Sequence, residues 1–122
     1  MRQPPIRIIH ITSGLTSGGA EWMLYRLLRA TDRTLFTPHV VSLTGLDQIG
    51  PRIEDLGIRV TALGVSRANP NPLSIMDVTR AIRAFRPEVI QTWMYHADLM
   101  GGIAARFNDS IPVALGLHPA DP

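Results

Sequence analysis

Five short apolar runs, set apart by stretches of helical spacing, constrain this chain most. The runs are Ile6–Ile11, Thr37–Leu43, Ile58–Leu63, Val89–Trp93 and Ile111–Leu117. Between them, Ala20, Met23, Leu24, Leu27 and Leu28 recur at helical intervals, as do Ile49, Ile53 and Leu56, and then Ile75, Val78, Ile82 and Phe85. A fourth helix is expected over Asp98–Arg106, where Gly101 and Gly102 allow close approach to a sheet. Strand and helix thus alternate through the whole chain, which argues for parallel strands joined by right-handed crossovers. The first run is apolar on both faces, as a strand covered by helices on both sides must be. The expected fold is α/β: a Rossmann-like, doubly wound parallel sheet in three αβα layers, formed as one domain over residues 1–122.

Punctuation supports these boundaries. Gly57 stops the second helix, and Gly64–Pro72 is a loop with two prolines. Ser74 reads as an N-cap with Asp77 three residues on, an acidic variant of the capping box. Pro87 ends the third helix. The chain has 122 residues and 45% hydrophobic content, enough for one real core. Cysteine is absent, which excludes disulfide and thiolate chemistry. Lysine is absent too, since all 12 basic residues are arginine. That excludes Schiff-base lysines and phosphate-loop lysines. No apolar run reaches the ~18 residues of a membrane span, and Met1–Pro5 has no signal-peptide character. A cytoplasmic location is expected.

The first strand runs into Thr12-Ser13-Gly14-Leu15-Thr16-Ser17-Gly18-Gly19-Ala20-Glu21. In an open α/β sheet this turn lies at the carboxyl edge, where ligands bind. Its glycines have a G-x-x-x-G-G spacing, so it is neither a dinucleotide fingerprint nor a Walker loop. Gly18 and Gly19 can take positive φ, and they leave no Cβ between backbone and ligand. Gly18 reads as the N-cap, which puts Glu21 at the third helical position, either as a helix-dipole residue or as a ligand contact.

The same edge should collect Met94-Tyr95-His96 after the fourth strand and His118-Pro119 after the fifth. Trp93 and Tyr95 can stack on a sugar ring or pack at the strand end. On spacing alone, His96 reads as a flank of the fourth helix and His118 as a loop histidine. His10 and His39 read as structural. The four histidines have no metal-site spacing, and no metal or cofactor is expected. The arginines Arg26, Arg29, Arg33, Arg80 and Arg83 read as solvated helix faces. A second reading has the first three touching anionic lipid or a phosphate-bearing acceptor.

Taken in order, these segments resemble a known family. Gly-Leu-Thr-Ser-Gly-Gly-Ala-Glu at 14–21, Arg86-Pro87-Glu88-Val89-Ile90-Gln91-Thr92-Trp93, His96-Ala97-Asp98-Leu99-Met100-Gly101-Gly102 and Pro112-Val113 through Leu117-His118 resemble the N-terminal half of group-one, or family-four, glycosyltransferases of the GT-B fold. Glu88 stands where the family more often has aspartate. The resemblance implies a retaining, hexosyltransferase-like enzyme that moves a sugar from a nucleotide-sugar donor to an acceptor glycan, lipid or polysaccharide precursor, without a metal ion. It implies that Gly18 and Gly19 approach the donor phosphates and that His118 lies near the reacting sugar as the catalytic residue. Glu21, Tyr95 and His96 join the substrate-binding set. It also implies an incomplete N-terminal, acceptor-side domain whose C-terminal donor-binding partner is missing, so this chain alone is expected to be inactive. Contact with the inner face of a membrane fits a lipid acceptor, and no nucleic-acid partner is expected. Two rivals remain open: a nucleotide-sugar epimerase of the same architecture, and a non-catalytic flavodoxin-like binding module.

Overall fold

The computed structural model describes residues 4–65, 74–93 and 113–114. Its elements are β1 (Ile6–Thr12), α1 (Gly19–Ala30), β2 (Phe36–Ser42), α2 (Ile49–Glu54), β3 (Arg59–Ala62), α3 (Ser74–Phe85), β4 (Val89–Trp93) and β5 (Val113–Ala114). The five strands form one sheet in the order β3-β2-β1-β4-β5, and every neighbouring pair is parallel. This is the doubly wound, Rossmann-like arrangement expected from the alternation. The direction of winding reverses between β1 and β4. The expected fourth helix, and most of the expected fifth strand, lie outside the described residues.

Two apolar cores cover the two faces of the sheet. On one face Ile9, Ile11, Val41, Leu43 and Ile90 pack under Val78 and Ile82 of α3. On the other, Leu15, Val40 and Ile58 pack with Leu24 and Leu28 of α1 and with Ile49 and Ile53 of α2. Each residue buried on either side removes apolar surface from water, about 1.5–3 kcal/mol for a large aliphatic chain. β1 and β2 are interior strands, which is why Ile9, Ile11, Val40 and Val41 are fully buried on their two faces.

Three expectations need correction. Met23 and Leu27 belong to the helical repeat of α1, yet they are 46% and 45% exposed, whereas Leu24 and Leu28 are buried. The buried arc of α1 is therefore narrower than its apolar arc. Ser74 is the first residue of α3 rather than its cap, and Asp77 accepts a hydrogen bond from Arg80 of the same helix. Gly18 does not use positive φ: it is extended, at φ −92° and ψ 175°. Among the described glycines only Gly57 (φ 83°) and Gly64 (φ 72°) do so, and Gly19 is not among them.

The Arg86-Pro87-Glu88 segment works at the amino edge. Arg86, at φ 55°, turns the chain out of α3. Its carbonyl accepts from Arg7 Nε at 2.6 Å, Glu88 N–H donates to the Arg7 carbonyl at 2.8 Å, and Arg7 and Glu88 form an ion pair at 3.5 Å. This segment latches the start of β4 onto β1, far from the edge where the glycine turn lies.

Candidate functional site

The carboxyl ends of β1, β2 and β4 lie side by side. Thr12 is in register with Ser42 on one flank and with Trp93 on the other. The turn from β1 to α1 therefore leaves the sheet at the point where winding reverses, the place open α/β sheets reserve for ligands. β5 runs parallel to β4 and so points to the same edge.

The turn is built from its own hydroxyls and carbonyls. Thr12 Oγ1 donates to the Gly14 carbonyl at 3.0 Å, and Gly18 N–H donates to the Thr16 carbonyl at 2.9 Å. Leu15, fully buried, anchors the middle of the turn in the core. Thr44 Oγ1 donates to the Ser13 carbonyl at 3.0 Å, tying the turn to its neighbour after β2. Ser13 Oγ is buried with no hydrogen-bond partner among the described residues.

Glu21 is placed differently from a solvated helix-dipole residue. It is only 6% exposed, and its Oε2 accepts from Thr16 Oγ1 at 2.9 Å. Its Oε1 lies where a side chain on Gly18 would begin: a Cβ built on Gly18 would stand 2.6 Å from it. Gly18 is thus a glycine because the carboxylate folds back over the first turn of α1. A Cβ on Gly19 meets nothing within 4 Å, and Gly19 is exposed. Nothing in the described chain fills the space beside Gly19, so that backbone is open to approach from outside. Among the described residues no side chain caps the N-terminus of α1. Thr16 was not singled out in the sequence. Its signal, a hydroxyl five residues before a first-turn carboxylate, is too common to be noticed unaided.

Trp93 packs against the core beneath α1, and its Nε1–H donates to His10 Nδ1 at 3.1 Å. The two rings are tilted at 43° with centroids 6.1 Å apart. Burial pushes the His10 imidazole down to about 4, so the ring is neutral at ordinary pH and carries its proton on Nε2. His39 is also held neutral, again near 4, by burial and then by the Arg59 charge; it pairs with Thr61 Oγ1 at 2.9 Å and packs edge-on to Phe85. Both histidines are structural, as expected. Of the expected site residues, Gly18, Gly19 and Glu21 come together in one turn. Tyr95, His96 and His118 lie outside the described residues.

A profile of the family described as Glycosyltransferase Family 4 matches residues 17–122. The chain belongs to that family. Solved structures of like fold include a glycosyltransferase from Rickettsia africae ESF-5, with TM-score 0.73 and 15% identity over 93% of this chain and 30% of that one. Another is the Anabaena HepE in complex with UDP and glucose, with TM-score 0.66 and 18% identity over 90% of this chain and 29% of that one. A third is the Acinetobacter baumannii MurG, with TM-score 0.64 and 19% identity over 91% of this chain and 33% of that one. This family-four chain spans about a third or less of each of those chains. No curated protein sequence matches it.

Proposed function

We propose that this family-four domain is the acceptor-side part of a retaining glycosyltransferase. The enzyme would transfer a hexose from a nucleotide-sugar donor to a glycan, lipid or polysaccharide precursor. The observation that carries this reading is the β1–α1 turn. It stands at the winding reversal of a parallel sheet, it leaves the Gly19 backbone open, and it holds a buried carboxylate against the neighbouring Gly18.

In this reading the first N–H groups of α1, from Gly19 onward, face charge that builds on the departing phosphate, while the Gly18 N–H stays on the Thr16 carbonyl. Fixed donors of this kind need no reorganisation during the reaction. Glu21, held by Thr16, accepts from sugar hydroxyls. Tyr95 and His96, after β4, line the acceptor side. His118, after β5, serves the sugar as it develops positive charge. The reading needs no metal. The donor half of the cleft is supplied by a second domain, in the cytoplasm at the inner face of the membrane.

The test is an assay of sugar transfer from UDP- and GDP-hexoses, with the 122-residue chain alone and with the longer protein that carries it. We expect turnover only from the longer protein, with the anomeric configuration of the donor kept in the product. Robust turnover by the 122 residues alone, or an inverted product, would overturn the assignment.

A further inference from the structure

The outer face of α1 is the surface the proposed reaction leaves unused. Met23 and Leu27 sit one turn apart on it, at 46% and 45% exposure. Single exposed apolar residues are ordinary on protein surfaces. Here two share one helix face, and every exposed charge on that helix is positive. Arg26 and Arg29 are exposed, while Glu21, the helix's acidic residue, is buried under its first turn.

Aromatic rings hold the cations in place. The Arg29 guanidinium lies 5.7 Å over the Tyr25 ring, and the Arg52 guanidinium of α2 lies 5.4 Å over the Trp22 ring. Trp22 and Tyr25 meet edge to face at 5.7 Å, so the four side chains form one ladder across α1 and α2. The ion pairs among the described residues are Arg7–Glu88 and Arg80–Asp77; Arg26, Arg29 and Arg52 take part in neither. The nearby acids, Asp32, Glu54 and Asp55, lie past or at the C-terminal ends of these two helices, towards the amino edge of the sheet. Asp32 is exposed and accepts two hydrogen bonds from Thr34.

Exposed thioether and aliphatic chains, a half-buried tryptophan and unpaired arginines on one helix face match the chemistry of an anionic bilayer surface. We propose that the α1 face formed by Trp22, Met23, Arg26, Leu27, Arg29 and Arg52 docks on an anionic lipid membrane. The arginines meet the headgroups, and Met23 and Leu27 enter the boundary of the acyl region. α1 begins at the carboxyl edge, so docking brings the β1–α1 turn close to lipid. An acceptor carried by the membrane then reaches that turn. The docking itself needs no sugar chemistry and is tested without any.

The test is co-sedimentation of the full chain with vesicles of phosphatidylglycerol and phosphatidylcholine, against phosphatidylcholine alone. Binding is expected to the anionic vesicles, at least ten-fold weaker in R26E/R29E and in M23E/L27E, and unchanged in R80E/R83E on the opposite layer. A second readout on the unmodified chain is quenching of tryptophan emission by brominated phosphatidylglycerol, which covers the case of a variant that fails to fold. Absence of both sedimentation and quenching would overturn the proposal. So would equal loss in R80E/R83E, which would mean basic charge without a face. A dimer that M23E/L27E dissolves, without vesicle binding, would give the face to a second copy and overturn it too.

Discussion

Two neighbouring turns at the carboxyl edge solve the same steric problem with opposite materials. The strands that feed them end in register at Thr12 and Ser42. Each of these hydroxyls donates to a carbonyl a few residues on: Thr12 to Gly14 at 3.0 Å and Ser42 to Gly45 at 2.8 Å. Each turn then leads to a glycine that has no room for a Cβ, Gly18 as the N-cap of α1 and Gly50 in the first turn of α2. At Gly50 the obstacle is Leu46 Cβ, 2.7 Å away; at Gly18 it is the Glu21 carboxylate, 2.6 Å away. The first is hydrocarbon fixed to backbone. The second is the far end of a flexible, charged side chain. The β2–α2 turn is packed shut, and the β1–α1 turn is closed by a group that can form hydrogen bonds and can move.

The contrast predicts a graded series of substitutions, and Gly50→Ala should have the largest effect. Alanine in a helix gains about 1 kcal/mol of propensity over glycine. Overpacking against an atom that cannot swing away costs about 1–3 kcal/mol. Leu46 is further pinned because its carbonyl accepts from Gly50 N–H at 2.7 Å. The clash should win, with a net loss of about 1–2 kcal/mol in chemical denaturation. A variant as stable as the parent would show that the β2–α2 turn has slack, and the contrast would fail.

Thr16→Val comes next. Valine keeps the shape and removes the hydroxyl, leaving a buried carboxylate oxygen without its donor. Such a loss costs about 1–3 kcal/mol at full burial. The 6% exposure of Glu21 lets some water in, so about 1 kcal/mol is expected. Glu21→Leu in the same background should return most of it, because the unpaired charge goes too. If Thr16→Val costs nothing, the carboxylate is not held by this bond.

The turns also show what could be read from residue order and what could not. The parallel, doubly wound layering was legible because strand and helix alternate through the chain and the first strand is apolar on both faces. The structural roles of His10 and His39 were legible from their places inside apolar runs. The burial of Glu21 was not, because a first-turn acid looks the same whether it faces water or folds back. The N-cap position of Gly18 was legible, but the need for glycine there was not, because it lies in a contact with a side chain three residues away. The exposure of Met23 and Leu27 was not legible, because periodicity fixes the centre of an apolar arc and not its buried width. Arg86 in the left-handed region, before Pro87, has no signal in residue type.

Gly18→Ala should cost less than either change above. The extended backbone at φ −92° suits alanine, so the cost lies in moving Glu21. We expect about 0.5–1 kcal/mol, from a displaced hydrogen bond to Thr16. In an Glu21→Ala background the same substitution should be nearly free, since the obstacle is gone. A double-mutant cycle measures this directly: equal costs in both backgrounds would mean that the carboxylate is not the reason for the glycine.

Gly19→Ala should have the smallest effect on folding, and one of opposite sign. A Cβ there meets only open space, and α1 starts at this residue, so alanine should stabilise by up to about 0.5–1 kcal/mol through helix propensity and a less free unfolded chain. Nothing inside the described chain requires glycine at this position. If the open backbone is where a donor phosphate or a sugar approaches, Gly19→Ala should weaken binding of a nucleotide sugar while raising the melting temperature. Gly50→Ala should do the reverse: less stability, with affinity unchanged in the fraction that stays folded. Calorimetric titration with UDP-hexose on the longer protein, beside thermal melts of the same samples, separates the two turns. A Gly19→Ala protein that is more stable and binds as tightly as its parent would leave the second glycine without a ligand to explain it.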